Sequence, residues 1–324
     1  MTGHKRLFIL ILIGVLYFSG VAMVLYPMIG NIYSLYHSRA DINEYQQTVN
    51  NLTDEEIQKM LESAKKYNEL LAKGNVDKTL SRSLNSKSDI MCYVEIPSLN
   101  IYLPVFYGTN EDVLLRGCGW LENTSLPIGG TDSHCVISGH TGLPNAEMFT
   151  KLDQMAEGDM FYIRVLDTVL AYRVDNIESV NPDRVDLLAI VEGKDYVTLL
   201  TCTPYGINDK RLLVRGERVE YKAPETSSVV EESKKQDIST DKEEEKKEDK
   251  KEISYVSKPA DKSTADDGLS DQIKQQVTVV CIIAGVSIVV FLAAFIWLIK
   301  TTGKKDQLTY DDSNAEDDNA EKEK

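Results

Sequence analysis

Three side chains in this sequence are of the types, and lie at the places, that covalent acyl transfer needs. Cys202 ends the apolar, strand-like run Thr198-Leu199-Leu200-Thr201, and the turn-rich stretch Thr203-Pro204-Tyr205-Gly206-Ile207-Asn208-Asp209 follows it. Arg211 then opens a second strand-like run, so that a thiol and a guanidinium can face each other across one hairpin. Upstream, His140 lies in the Gly-rich turn Ser138-Gly139-His140-Thr141-Gly142-Leu143-Pro144. A nucleophile, a proton-transfer group and a fixed cation are the three parts of such a site.

Each residue has competitors. A cysteine at a strand end is commonly a small core residue; here the strand breaks immediately afterwards, which lifts the thiol into a loop held by strands. Four histidines are present. His4 precedes the first apolar span and His37 follows it, which leaves His134 and His140. His134 leads into the apolar run Cys135-Val136-Ile137 and reads as structural. The glycines around His140 permit a sharp strand exit that exposes the ring. Arg211 presents a permanently charged fork of donors that can stabilise an oxyanion or orient a substrate. Arg215 shares its face of the strand about 13 Å further along.

The pattern Thr-Leu-x-Thr-Cys with an arginine nine residues later, Thr198 to Arg211, resembles the signature of the sortases, surface transpeptidases of Gram-positive bacteria. Thr201-Cys202-Thr203-Pro204-Tyr205-Gly206-Ile207-Asn208 and Arg211-Leu212-Leu213-Val214-Arg215-Gly216 are similar to class C, the pilin-polymerising branch. Ile96-Pro97, Leu103-Pro104-Val105, Tyr107-Gly108-Thr109, Thr124-Ser125-Leu126-Pro127-Ile128-Gly129-Gly130 and Gly158-Asp159-Met160-Phe161 agree, in order, over roughly residues 90–220. So long a set of ordered motifs is harder to meet by chance than one short pattern.

The resemblance implies a mainly β fold: a closed eight-stranded barrel with a few helices. It implies that Cys202 attacks the Thr–Gly amide of a Leu-Pro-x-Thr-Gly-like sorting signal, that His140 protonates the leaving amine, and that Arg211 is the electrostatic partner. A lysine of a second pilin would then take the acyl group as an isopeptide. Thr201 is a candidate for substrate contact. No cofactor and no metal are expected. Two readings compete: a sortase that uses a cell-wall amine and anchors surface proteins to peptidoglycan, and a non-catalytic, membrane-tethered β-domain that binds a partner. The sequence departs from class C in two places. The lid region Asn75-Val76-Asp77-Lys78-Thr79-Leu80-Ser81-Arg82 has Asp77 but neither the proline nor the aromatic of the family's plug, and Trp120 stands where the family often has a histidine. The segment 74–88 is therefore expected to cover the site only loosely, with Asp77 free to pair with Arg211.

The elements that must position these residues lie between two apolar spans. Residues 7–26 and 277–299 carry no charge, and each is long enough to cross a hydrocarbon core of about 30 Å. For the first, a cleaved signal peptide is the alternative, with Gly20-Val21-Ala22 as a small-x-small site; the apolar run continues to Ile32, which favours an anchor. Lys5 and Arg6 before the first span, and Lys300, Lys304 and Lys305 after the second, place both termini in the cytoplasm. Thr53-Asp54-Glu55-Glu56 reads as a capping box, and Ile57, Met60, Leu61, Ala64, Tyr67, Leu70 and Leu71 give the amphipathic spacing of a helix ended by Gly74. A helix packed on the domain body is expected. Short strands are expected at 91–96, 101–106, 135–138, 160–166, 170–174, 197–201 and 211–219.

The formal net charge of −15 forms no coherent patch: residues 223–276 hold 15 acidic and 10 basic groups. Nothing resembles a nucleic-acid footprint. That segment and the tail 300–324 are too polar to bury a core and read as a disordered stalk and tail. Cys92, Cys118, Cys135, Cys202 and Cys281 lack zinc-site spacing; one disulfide among the first three is left open. The expected organisation is 1–39 stub and anchor, 40–89 helical segment with lid, 90–222 catalytic barrel, 223–276 stalk, 277–299 second span and 300–324 tail. The expected partners are sorting-signal precursors, an acceptor lysine and the lipid bilayer.

Overall fold

The computed structural model describes residues 3–84, 89–221, 271–297 and 300. Of the expected stalk at 223–276 and tail at 300–324, residues 223–270 and 301–324 lie outside the described residues. The chain divides into two compact units. One takes in the first helix up to Tyr36 together with the C-terminal helix; the other begins at His37 and holds the barrel.

α1 (Gly3–Asn50) belongs to the first unit up to Tyr36 and to the second from His37; its apolar residues lie on every side rather than in one stripe. The C-terminal helix, α4 (Asp271–Trp297), starts six residues before the expected span, so the last residues assigned to the stalk are helical. The two helices pack antiparallel. A Cβ at Gly14 would lie 3.5 Å from the Phe291 ring, the Tyr17 hydroxyl lies 2.8 Å from both the Ser287 carbonyl and hydroxyl oxygens, and Asn31 Nδ2 donates to Gln276 Oε1 at 3.1 Å. Polar contacts of this kind hold helices together where apolar burial offers no drive.

In the second unit, α2 (Asp54–Ala72) begins at the expected capping box. Glu56 N donates to Thr53 Oγ1 at 3.3 Å, and Thr53 N donates to Glu56 Oε2 at 2.8 Å. Its inner face buries Ile57, Ala64, Tyr67 and Asn68. Asn68 clamps the body by donating to the Leu126 carbonyl at 3.2 Å and accepting from Leu126 N at 2.7 Å. The packed helix expected from the sequence is therefore present.

Eight strands close into a barrel in the order β1-β2-β3-β4-β7-β8-β6-β5. They are β1 (Ile90–Ile96), β2 (Ile101–Tyr107), β3 (Cys118–Trp120), β4 (Ser133–Ser138), β5 (Met160–Val165), β6 (Thr168–Val180), β7 (Asp195–Thr203) and β8 (Lys210–Val219). Between β2 and β3 lies the short helix α3 (Glu111–Arg116). The closed eight-stranded barrel is the fold that the family resemblance implied. The sequence missed β3, whose three residues carry no alternation to read. It ended β6 at Val174 because Asp175-Asn176 looks like a turn; instead a register shift between Val174 and Asn176 lets the strand run on against β8.

β1 is buried along its whole length. The end of α1 covers it: the Tyr45 hydroxyl donates to the Met91 carbonyl at 3.0 Å and accepts from Leu166 N at 2.7 Å. Tyr45→Phe leaves both backbone groups buried without a partner. A loss of about 1–3 kcal/mol is expected, read as a lower denaturant midpoint of the full chain with activity per folded molecule retained.

Candidate active site

The barrel brings His140, Cys202 and Arg211 to the ends of three adjacent strands. β4 and β7 pair in parallel, and their last registered pair is Ser138 with Leu200. Gly139 N donates to the Leu200 carbonyl at 3.0 Å, and the Thr201 hydroxyl donates back to the Gly139 carbonyl at 2.7 Å. Two residues past the pair, on neighbouring chains about 4.8 Å apart, come His140 and Cys202. β7 and β8 are antiparallel, and Cys202 is the register partner of Arg211. The thiol position thus has the imidazole strand on one side and the guanidinium strand on the other.

Local sequence explains each placement. A Cβ at Gly139 would lie 2.7 Å from Phe149 Cδ2, so this glycine is required by space. Gly142 has φ +74, and a Cβ there would come within 3.3 Å of the Tyr205 ring, so the loop after Cys202 leans on the loop after His140. Phe149 N donates to the His140 carbonyl at 3.0 Å. Arg211 Nη1 donates to the carbonyls of Asn208 at 3.3 Å and Lys210 at 3.0 Å, holding the guanidinium on its own hairpin.

The competing residues are committed elsewhere. His134 is 1% exposed; Nδ1 lies 2.9 Å from the Ala189 carbonyl and Nε2 lies 2.7 Å from the Thr198 hydroxyl. Burial lowers its pKa. Arg215 makes a two-point pair with Asp175 at 3.1 and 2.8 Å and stacks over the Tyr196 ring at 4.3 Å. Cys92, Cys118 and Cys135 are buried free thiols, each pushed up in pKa by desolvation, whereas Cys202 is partly exposed. Thr201, the candidate for substrate contact, is 2% exposed, and its hydroxyl braces Gly139 across the β4–β7 pair. Trp120 is buried and donates from Nε1 to the Ser125 carbonyl at 3.0 Å. Among the described residues no cluster of His, Cys, Asp and Glu could hold a metal ion.

The lid segment is described as far as residue 84. Asp77 does not reach Arg211. Its Oδ1 accepts from Thr79 N at 2.9 Å and from the Thr79 hydroxyl at 2.6 Å, and these bonds hold the carboxyl below its usual range. Downstream, Arg82 lies over the Tyr107 ring at 5.4 Å and Leu84 is fully buried. The segment is thus fastened to the body by Arg82 and Leu84, with Asp77 capping an exposed turn. Asp77→Ala is expected to change the rate of Cys202 alkylation by iodoacetamide less than about fivefold, because a fully exposed polar contact is screened by solvent and adds little. A hundredfold acceleration would show that Asp77 latches the cleft.

A residue the sequence did not single out lies beside the histidine. Glu111, the first residue of α3, places Oε1 3.7 Å from His140 Nε2. The signal was there in Asn110-Glu111-Asp112, which reads as a capped helix start, but nothing in the spacing connects it to residue 140.

The sortase-domain family matches residues 94–219. A solved sortase C from Clostridium perfringens, with the C-terminal cell wall sorting motif, is 48% identical, covers 56% of this chain and 99% of its own, and superposes with a TM-score of 0.53. The chain belongs to the sortase family. The sortase C1 of GBS pilus island 1 is 42% identical to this sortase, covers 59% of it and 96% of its own chain, and has a TM-score of 0.55. Sortase A of Bacillus anthracis is 28% identical over 42% of this sortase, which spans 63% of that protein's length. Sortases are cysteine transpeptidases, and the solved neighbours of this one are class C.

Proposed function

We propose that this sortase is a membrane-anchored, pilin-joining transpeptidase of class C type, with Cys202 as nucleophile, His140 as proton-transfer residue and Arg211 as electrostatic partner. The observation that carries the reading is the convergence of these three residues on the ends of β4, β7 and β8. The Cys202 thiolate adds to the Thr carbonyl carbon of a Leu-Pro-x-Thr-Gly-like signal, and negative charge builds on the carbonyl oxygen. The Arg211 guanidinium, one strand away, stabilises it. As the Thr–Gly C–N bond breaks, His140 gives its proton to the departing amine and a thioester remains. A lysine amine of a second pilin then adds, loses its proton to His140 and expels the thiolate, leaving an isopeptide bond.

Two features support the pilin acceptor over a cell-wall amine. The Thr203-Pro204-Tyr205-Gly206-Ile207-Asn208 loop resembles that of class C, and the solved neighbours include a sortase of a pilus island. The deciding experiment incubates the full-length enzyme with a sorting-signal peptide and either a lysine-bearing pilin or a peptidoglycan stem peptide. Transfer to lysine is expected. Transfer to the stem peptide alone selects the anchoring reading, and no thioester with any signal peptide leaves a binding domain.

The same proposal places the barrel outside the cell. The antiparallel packing of α1 and α4 and the basic residues beyond both spans support two crossings with both termini cytoplasmic. The domain boundaries read from sequence, with the catalytic part at 90–222, belong to this reading. Protease shaving of intact cells is expected to cleave between residues 223 and 270 and to leave a C-terminal tag protected; loss of the tag would reverse the topology.

A further inference from the structure

We infer that Glu111 is a positioning residue for His140, and that His140 exchanges its proton with the reacting groups through Nδ1. The inference rests on the proposed role of His140. It begins from an unmet polar atom: His140 Nε2 is shielded from solvent and has no hydrogen-bond partner among the described residues. The ionic contact at that nitrogen is Glu111 Oε1 at 3.7 Å, about 0.8 Å longer than an ordinary N–H···O bond. The Glu111 side chain is 72% exposed, against 24% for His140, so the carboxylate has room to close that gap while the ring is held.

The fold brings this carboxylate to the ring by design of the chain path. Asn110 caps α3 by accepting from Val113 N at 3.0 Å, which fixes Glu111 as the first helical residue. α3 rests on β3: a Cβ at Gly119 would lie 3.2 Å from Val113 Cγ1, and it would collide with the Gly108 carbonyl oxygen, which is what requires glycine there. Gly119 in turn is the register partner of Ser138, two residues before His140. A ladder pairing and a glycine contact therefore deliver the first turn of α3 to the end of β4.

The chemical consequence follows from the two ring nitrogens. A carboxylate that accepts from Nε2–H sets the ring's orientation and makes Nδ1 the nitrogen that takes and gives the catalytic proton. In the imidazolium state the bond is charge-assisted and stronger. A bound sorting signal that displaces water from the cleft strengthens it again. Asp112, the next residue around the helix, forms no ion pair with the ring and serves as a control.

The test measures steady-state transfer by the full-length enzyme in detergent, with a sorting-signal peptide and an amine acceptor. Glu111→Gln, which removes the charge at constant shape, is expected to lower kcat about tenfold with KM unchanged within about twofold, as loss of one charge-assisted bond would. Asp112→Asn is expected to leave both constants alone. An unchanged kcat in Glu111→Gln, with His140→Ala inactive, overturns the inference while sparing the role of His140. Full activity in His140→Ala overturns that role itself. Equal losses in Glu111→Gln and Asp112→Asn would mean general surface charge rather than positioning, and would also overturn the inference.

Discussion

Cys202→Ala will form no acyl-enzyme, and Cys92→Ala, Cys118→Ala and Cys135→Ala will all still form it. The thiolate is the attacking species, and the four thiols outside the spans differ sharply in access to it. Three are buried in the barrel wall, where desolvation drives the thiol form; Cys202 is partly exposed, at the end of β7 and opposite Arg211. Intact-mass spectrometry of enzyme incubated with a sorting-signal peptide reads the thioester directly. An adduct of the same mass in Cys202→Ala would transfer the assignment to another nucleophile. The three wall variants lose packing rather than chemistry, so their deficit belongs in thermal unfolding, not in acylation of the folded protein.

His140→Ala is expected to lower turnover by about 10²–10⁴-fold, the usual worth of one general acid–base group. His134→Gln separates chemistry from structure. It disturbs the bonds at the Ala189 carbonyl and the Thr198 hydroxyl, so it should reduce stability by about 1–3 kcal/mol and leave kcat of the folded enzyme nearly unchanged. The pH dependence has a definite sign. Burial lowers the His134 pKa below the unfolded value of about 6.5, so the unfolded chain binds more protons on acidification. Its contribution is complete above that value and is lost as pH falls through the lower, folded pKa. His134→Gln should therefore flatten the acid side of the stability profile between about pH 6.5 and the folded pKa. A dead His134→Gln with a native unfolding transition, beside an active His140→Ala, would exchange the two assignments.

Much of the site could be read from residues that are close in sequence. Cys202 and Arg211 belong to one hairpin, so their approach follows from strand, turn and strand. His140 is different. Its place beside Cys202 depends on the parallel pairing of β4 with β7, strands not consecutive in the chain, and no local pattern encodes that; the family resemblance pointed to it. Glu111 was missed for the same reason at one further remove, since its position is set by α3 on β3 and β3 on β4. Thr201 is the opposite case. Its neighbour carries the thiol, but alternation along a strand turns adjacent side chains to opposite faces, and its hydroxyl went to the Gly139 carbonyl. β6 was cut short because a bulge at Asp175-Asn176 looks like a turn until its pairing to β8 is known.

The burial of Cys92, Cys118 and Cys135 also decides how this enzyme meets oxidants. A peroxide that reaches Cys202 converts it to a sulfenic acid, which is normally rescued by condensing with a second thiol nearby. Here the other barrel thiols, Cys92, Cys118 and Cys135, are enclosed in the wall, so none of the three is at hand as a resolving cysteine. Recovery then falls to a small external thiol that can enter the cleft, and without one the sulfur proceeds to sulfinic acid and the molecule is lost.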